Sequence, residues 1–386
     1  MDERLFTSQE FGKLEWQHNG AYYYFSPRPL PPKYAPTLQV TKQFEKTLIL
    51  LGMLKAKAQD FSKEEIFLLQ YPFMLKEAAL SSEIEGTRST IADVLKAEKI
   101  EEKDFEKRLD NQEIINYRKA LQFGLKKVSE LGMIPEELIK EIHRMLLDGV
   151  RGKDKTPGEY KKNQNGIGNR QDTLDIARFV PASPEATPGL MKNLMGFVNT
   201  DDCSSLYKIA VSHYQFEAIH AFRDGNGRLG RLLIMLQICK DGILDHPLLY
   251  ISEYFNRNRD TYTDMLFNVS AKGDLEGWLI FFLKALEYQA QQSIKLLTDL
   301  QDYKYELQGR MRLLSKSPNM HMLIDYLFKH PFITSTEIRK MLKITQPAAW
   351  GLIKKLEHEE ILKLAETTKN GNVYHAEKIL SLILGS

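Results

Sequence analysis

The chain has 386 residues, of which 43% are hydrophobic, and its 53 lysine and arginine residues nearly balance 51 acidic residues, for a net charge of +2. This balance argues against a general attraction to nucleic acid or membranes, and the longest apolar runs, 48–54 and 278–283, are too short to cross a bilayer. Two cysteines, Cys203 and Cys239, argue against a disulfide framework, so we expect a cytoplasmic protein of two or three domains.

Residues 1–110 are predicted to form an N-terminal domain, an irregular arm followed by helices. Prolines crowd the end of the segment 1–36, and proline fixes its own backbone and lacks an amide proton, so we expect no regular structure there. Apolar residues at helical spacing predict helices at about 41–60, 64–85 and 89–98.

One stretch of this region, 72–86, has the features of a helix with a charged end. Pro72 suits the first turn of a helix, and Gly86 comes just past the last one. The carboxylate of Glu85 would lie at the negative end of the helix dipole, which is mildly unfavourable. We therefore expect Glu85 to have a cationic partner.

Residues 111–312 are predicted to form a second domain, helical with one hairpin. Helices are expected at about 107–129, 136–147, 188–199 and 205–219, and further helices up to about 310. Within the segment 162–181, strand-like ends at 166–168 and 177–180 enclose a polar loop, which predicts a β-hairpin. From these residues alone, an ordinary surface hairpin and a binding flap are both open.

A glycine-rich loop, D-G-N-G, joins the helix predicted at 205–219 to a very apolar helix that follows it. Gly225 and Gly227 allow backbone conformations that other residues rarely adopt. Successive amide groups can then converge on an anion at the start of the second helix, where the helix dipole also favours negative charge. The loop therefore predicts an anion site.

The side chains around this loop suit a metal-bound polyphosphate. Arg228 and Arg231 are three apart on the helix and share a face, and the guanidinium fork matches phosphate oxygens. Asp224 offers a hard oxygen ligand of the kind that Mg²⁺ shares with phosphates. His220 is the side chain here that can gain or lose a proton near neutral pH.

Residues 317–386 are predicted to form a separate C-terminal domain that begins near Ser317 and Pro318. Helices at about 319–329, 335–342 and 346–359 precede strands at 361–367 and 373–376, joined by the tight-turn sequence K-N-G-N. This order resembles a winged helix, whose third helix would expose Gln346, Lys354 and Lys355. From residue 316 onward, ten Lys or Arg against seven Asp or Glu are only weakly basic, so DNA binding and protein docking both stay open.

The segment 220–231 resembles the signature H-x-F-x-[D/E]-G-N-G-R-x-x-R of the Fic family, in the Fic/Doc superfamily, and fills every fixed position. The resemblance implies a helical bundle with a flap and a transfer of AMP from ATP to a Ser, Thr or Tyr hydroxyl of a target protein. It implies that His220 takes the hydroxyl proton and that Phe222 anchors the loop. By the same resemblance, Asp224 holds Mg²⁺, and the phosphates are bound by Gly225, Asn226, Gly227, Arg228 and Arg231.

The resemblance extends to three other segments. S-S-E-I-E-G matches the family's inhibitory motif at Ser81, Glu85 and Gly86, which implies that Glu85 pairs with Arg231 and keeps ATP from binding productively. The flap at 162–181 would bind the target segment as an added strand. Residues 254–283 are similar to the family's closing helices, where Asn258 and Tyr262 are candidates for contacting the nucleotide base, with packing and capping as the alternative.

Other functions stay open beside AMP transfer. The chain could be a nucleotide-responsive, DNA-binding transcriptional regulator, although the intact motif argues against a decayed enzyme. Relatives in the superfamily transfer phosphate or phosphocholine, and Gly227, where a lysine could stand, favours AMP. Removal of AMP through Glu85 is also open. A homodimer is implied by the resemblance only.

Overall fold

The computed structural model describes residues 1–18, 20–97, 99–100, 102–150, 155–168, 172–314, 318–368 and 371–385. The helices are α1 (Leu38–Ala58), α2 (Lys63–Ile84), α3 (Ile91–Ala97), α4 (Phe105–Leu131), α5 (Glu136–Leu146), α6 (Thr187–Val198), α7 (Ser205–Ile219), α8 (Asn226–Lys240), α9 (Ser252–Arg257), α10 (Arg259–Lys272), α11 (Leu275–Leu314), α12 (Pro318–Lys329), α13 (Ser335–Leu342), α14 (Gln346–His358) and α15 (Glu377–Leu384). The strands are β1 (Gly12–Gln17), β2 (Tyr22–Pro27), β3 (Phe332–Thr334), β4 (Lys363–Thr368) and β5 (Gly371–His375). The prediction of a mainly helical chain is confirmed.

Two nearly buried helices, α7 and α8, form the centre of the bundle. Almost all of their side chains are buried, as expected for helices that neighbours enclose completely, and the buried set includes polar side chains such as His213 and Arg231. The helices α4, α5, α6, α10 and α11 pack around them, and α1 lies along α11. The turn between α7 and α8 contains the residues that the sequence predicts to be functional.

The N-terminal segment is a β-hairpin, so the prediction of an irregular arm over 1–36 is wrong. Strands β1 and β2 pair antiparallel, from Gly12 opposite Pro27 to Gln17 opposite Tyr22. Phe25 is fully buried, and its amide donates to the carbonyl of Val180. The aromatic run of β2 favours a strand, and the prolines come only at its end and beyond it.

Helix α2 begins nine residues before Pro72, so the prediction that Pro72 lies in a first turn is wrong. Ser62 and Glu65 form a capping box at the start of the helix. Pro72 lies inside the helix, where a proline forgoes one helical hydrogen bond. Burial before and after the proline sustains the helix, since Leu69 and Phe73 are almost fully buried.

The predicted flap hairpin is reduced to one β-bridge within the described residues. Ile167 and Phe179 exchange both backbone hydrogen bonds, at 2.7 and 3.0 Å. The tip of the predicted loop, 169–171, lies outside the described residues.

The C-terminal unit contains the three predicted helices, α12 to α14, and two elements that the sequence did not reveal. Strand β3 joins the hairpin in a three-stranded antiparallel sheet of order β3-β5-β4, and α15 follows it. The predicted boundary residue Ser317 and part of the K-N-G-N turn lie outside the described residues. In the part of the chain that is described, no helix is long and apolar enough to cross a membrane.

Candidate active site

His220 ends α7 in a left-handed backbone conformation, with φ of 49° and ψ of 58°. Such a conformation is uncommon outside glycine, and it turns the chain sharply between the two central helices. Its amide donates to the carbonyl of Phe216, which closes the helix. The side chain lines a cleft with a volume of about 740 Å³, together with Glu85, Gly227 and Arg231.

The backbone carbonyls of this turn accept hydrogen bonds from residues in other parts of the chain. Lys161 donates through Nζ to the carbonyl of Ile219 at 3.0 Å and through its amide to that of Ala221 at 2.9 Å. Asn165 donates through Nδ2 to the carbonyls of His220 and Phe222, at 3.2 and 2.9 Å. Because these carbonyls are held on one side, the turn has a defined shape before any ligand binds.

His143 holds the next carbonyl of the loop. Its Nδ1 accepts from the amide of Gly158 at 2.7 Å, so its Nε2 carries the proton and donates to the carbonyl of Asp224 at 2.8 Å. The ring stacks on Phe222, with 3.9 Å between centroids. Burial lowers the pKa of His143 to about 4, with a further contribution from Arg228, so the ring is neutral and this tautomer is kept at neutral pH.

The glycine-rich loop forms the start of α8. Gly225 has φ of +76°, and the side chain of Asn226 clamps Phe222, accepting from its amide at 2.9 Å and donating to its carbonyl at 2.7 Å. Asn226 therefore shapes the loop through its side chain, and its own amide begins the helix. The amides at a helix start have no carbonyl partner within the helix, so those of 226–228 can bind an anion.

Arg231 is almost fully buried and is held by the end of α2. Its Nη2 donates to Oε1 of Glu85 at 2.7 Å and to the carbonyl of Ser81 at 2.8 Å, and its Nε donates to Oγ of Ser81 at 2.8 Å. Burial opposes the charge, but the carboxylate of Glu85 outweighs it and raises the pKa of the guanidinium. The structure thus joins Ser81, Glu85 and Arg231, as the resemblance implied, and Gly86 follows with φ of +100°.

Gly227 lies against this pair. A Cβ at this position would be 2.3 Å from Oε1 of Glu85 and 2.9 Å from Nη1 of Arg231. Such distances are shorter than van der Waals contact, so any larger residue here would require the side chain of Glu85 or Arg231 to shift.

Arg228 is buried on the other side of the loop. Its Nη1 lies 3.6 Å from Oε2 of Glu113, and its Nη2 lies 3.8 Å from Oδ1 of Asp224. Nε and Nη1 of Arg228 make no hydrogen bond to any described residue. Buried donors of this kind are costly without a partner, so Arg228 is prepared to receive an acceptor.

Glu217 is a site residue that the sequence analysis missed. It precedes His220 by three positions on α7, and its Oε2 lies 3.7 Å from Nδ1 of His220. Burial alone would raise the pKa of the Glu217 carboxyl, but His220, His213 and Arg231 together lower it. A buried carboxylate beside one ring nitrogen favours a proton there and leaves the other nitrogen free to accept one.

The two candidates for base contact lie in different surroundings. Tyr262 is buried at one wall of the cleft, where its hydroxyl is 2.8 Å from Nε2 of His213 and its ring stacks on Phe255 at 4.4 Å. Asn258 joins α9 to α10 and donates through Nδ2 to the carbonyl of Tyr254 at 2.9 Å. Tyr262 thus lines the cleft but is almost fully buried by packing, and Asn258 has the capping contact of the alternative, so contact with a nucleotide base stays a prediction for both residues.

Two residue ranges match known protein families. Residues 133–238 match the Fic/DOC family, and residues 42–126 match the Fic/DOC family N-terminal region.

Curated relatives carry names that bear on function. A probable protein adenylyltransferase from Aquifex aeolicus is 26% identical over 212 residues, which cover 54% of this chain and 58% of that protein. A protein adenylyltransferase Fic from Culex quinquefasciatus is 26% identical over 185 residues, which cover 46% of this chain and 33% of that protein. The chain thus matches less than two thirds of the length of these relatives.

Solved structures share the fold. A Fic family protein from Desulfovibrio desulfuricans has a TM-score of 0.59 at 17% identity, covering 90% of this chain and 98% of that chain. A Fic domain containing signaling protein from Bacteroides thetaiotaomicron has a TM-score of 0.51 at 22% identity, covering 67% and 96%. At these identities the likeness establishes the fold alone.

Proposed function

The chain belongs to the Fic/DOC family, and on that premise we propose that it is a protein adenylyltransferase that transfers AMP from ATP to a hydroxyl group of a target protein or of itself. The observation that carries the proposal is the complete segment 220–231, folded so that His220 and the start of α8 face one cleft. The names of the relatives from Aquifex and Culex agree with this activity.

In the proposed reaction, His220 takes the proton from the target hydroxyl through its free ring nitrogen. The hydroxyl oxygen attacks the α-phosphorus of ATP, a bond from oxygen to phosphorus forms, and pyrophosphate leaves. The amides of 226–228, with Arg228 and Arg231, hold the phosphates and stabilise the developing charge. Glu217 keeps His220 in the tautomer that can accept the proton.

Magnesium fits the site as an ion shared with the nucleotide. The carboxylate of Asp224 is half exposed, and its Oδ1 accepts from the amide of Gly225 at 2.6 Å. No cluster of three or more metal-ligating side chains occurs in the described ranges. Because Mg²⁺ is often held by one or two carboxylates plus phosphates, Asp224 would hold it beside ATP, where the ion would neutralise phosphate charge.

We further propose that the protein inhibits itself through Glu85. With Glu85 bonded to Arg231, the guanidinium that should receive a phosphate is occupied.

Intact-mass analysis after incubation with ATP and Mg²⁺ tests the function: the Glu85→Gly protein should gain one AMP unit, and the Glu85→Gly, His220→Ala protein should gain none. No mass gain by Glu85→Gly protein, alone or with candidate targets, would overturn the proposal.

The remaining interactions stay predictions. The β-bridge at Ile167 and Phe179 borders the cleft and would bind the target strand.

The C-terminal unit would act as a winged helix, with Lys354 and Lys355 exposed on α14, whereas Gln346 donates to Oγ of Ser335. A gel-shift assay on the protein's own promoter tests DNA binding. Cytoplasmic location, a homodimer and AMP removal rest on the sequence arguments alone.

A further inference from the structure

A second cavity, of about 220 Å³, lies where α2 and α4 meet the end of α12. It shares no lining residue with the cleft at His220. Its polar lining consists of Gln70, Tyr71, Arg118, Gln122, Lys329 and His330. The residues that line it include two cations and no acidic side chain, which is unusual for a partly enclosed space because like charges repel.

The two cations have no carboxylate partner among the described residues. The guanidinium of Arg118 lies over the ring of Tyr71 at 5.0 Å, and its buried Nε makes no hydrogen bond to any of these residues. Nζ of Lys329 lies over the ring of Phe67 at 5.1 Å. Aromatic faces hold both cations in place without neutralising them, so their charge remains available to a ligand.

His330 is a neutral neighbour of these cations. It stacks on Tyr326 at 4.5 Å between centroids. Burial lowers the pKa of His330 to about 4, and the positive charges of Lys99, Lys329 and Arg118 lower it further. Glu337, which pairs with Lys99, acts in the opposite direction and raises this pKa. Among the described residues, the charges close to the ring of His330 are thus mainly positive, and Glu337 is the acidic exception.

We propose that this cavity binds a small molecule through an oxyanion group, a phosphate or a carboxylate, with Arg118 and Lys329 as its principal ligands. Gln70 and Gln122 add neutral donors. The cavity shares both glutamines, Phe67 and Met74 with a larger cavity of about 760 Å³, which Lys119 also lines. The rest of the molecule would lie there, beside the ring of Phe67.

A ligand in this position would connect the C-terminal unit to the inhibitory helix. Gln70 and Tyr71 belong to α2, whose C-terminal cap is Glu85, whereas Lys329 is the last residue of α12 and His330 follows it. The oxyanion would then be bound by residues of α2 on one side and by residues at the end of α12 on the other. Because the ligand would contact both helices at once, its binding would stabilise the packing of the C-terminal unit on α2.

The test follows ring signals of histidines in the full-length protein by NMR while inorganic phosphate or citrate is added, with chloride at equal ionic strength as the reference. His330→Gln identifies the signal of His330, and His220→Ala identifies that of the catalytic cleft. We expect a saturable shift of the His330 signal with at least one of the two oxyanions, and the one that acts identifies the class of ligand. No shift with either, or the same shift with chloride, would overturn the proposal.

A paired substitution then tests the two cations. Arg118→Gln with Lys329→Gln should weaken binding at His330 by about tenfold or more, since each removes a charged donor. Lys42→Gln with Lys46→Gln removes the same charge from an exposed face of α1 and should leave binding unchanged. If the first pair unfolds the protein, Lys329→Gln alone is used. If the folded variant that lacks these cations binds the oxyanion with the same affinity as the wild type, the proposed site is refuted.

Discussion

Glu85 and Arg231 lie 146 positions apart in the sequence and are joined by a hydrogen-bonded ion pair of 2.7 Å. The arginine is almost completely buried, while the glutamate side chain keeps 41% of its surface exposed. The pair therefore connects the buried start of α8 to a helix end that solvent can reach. In the proposed reaction, this pair is the contact that a phosphate of the nucleotide must replace.

Glu85→Gly is expected to raise AMP incorporation by about ten- to a hundredfold. A charged hydrogen bond contributes about 1.5–3 kcal/mol, and each 1.4 kcal/mol corresponds to tenfold in an equilibrium constant. Incorporation of radiolabelled AMP measures the change. The control is Glu83→Gly, since Glu83 is exposed on the last turn of the same helix. If both variants rise equally, loosening of the helix end, and not loss of the pair, explains the activity.

Glu217→Gln is expected to lower the rate of AMP transfer by about tenfold or more in a Glu85→Gly background. An amide can still lie beside His220 but gives no charge to stabilise the ring when it holds a second proton. The turnover number should fall while KM for ATP stays nearly constant. The pH dependence of the turnover number should also shift relative to that of the Glu85→Gly protein. The control Glu159→Gln removes an exposed carboxylate. A change in KM alone would contradict the assigned role.

The local part of the site could be predicted from the sequence, and the distant part could not. The segment 220–231 contains its residues within one turn and the start of one helix, so spacing alone indicates an anion site. The bracing donors Lys161, Asn165 and His143 come from separate segments and carry no local pattern. Their alignment depends on how α5 and the chain after it pack on the turn.

The helix predicted at 64–85 agrees with α2, but two predictions that rest on proline, the irregular arm over 1–36 and Pro72 in a first turn, are wrong. Proline disfavours regular structure, but the residues around it can outweigh that preference. The prolines near residue 30 follow a strand that aromatic residues and burial sustain, and Pro72 is tolerated in a helix that its neighbours bury. Glu217 was missed although it lies one turn before His220, because a single acidic residue on an apolar helix has many structural explanations.

Gly227→Ala is expected to lower the affinity for ATP by about tenfold or more, both in the wild-type protein and in the Glu85→Gly background. The added Cβ would meet Oε1 of Glu85 at 2.3 Å and Nη1 of Arg231 at 2.9 Å, so removing the glutamate relieves only the first contact. Equilibrium dialysis with labelled ATP measures the affinity. Gly52→Ala is the matched control, because it also adds a methyl group within a helix but meets nothing within 4 Å. Full rescue in the Glu85→Gly background would show that the arginine contact is unimportant.

The buried His143 should make stability depend on pH between about 4 and 6.5. In the folded chain its pKa is lowered to about 4, whereas an unfolded histidine has a pKa of about 6.5. As pH falls through this range, the unfolded chain takes up a proton that the folded chain does not, so the free energy of unfolding decreases. The contribution is at most about 1.4 kcal/mol per pH unit. Urea unfolding of the wild type and of His143→Gln across this range measures it: the variant should show a shallower slope, and identical slopes would mean that His143 is not held neutral by its contacts with Gly158 and Asp224.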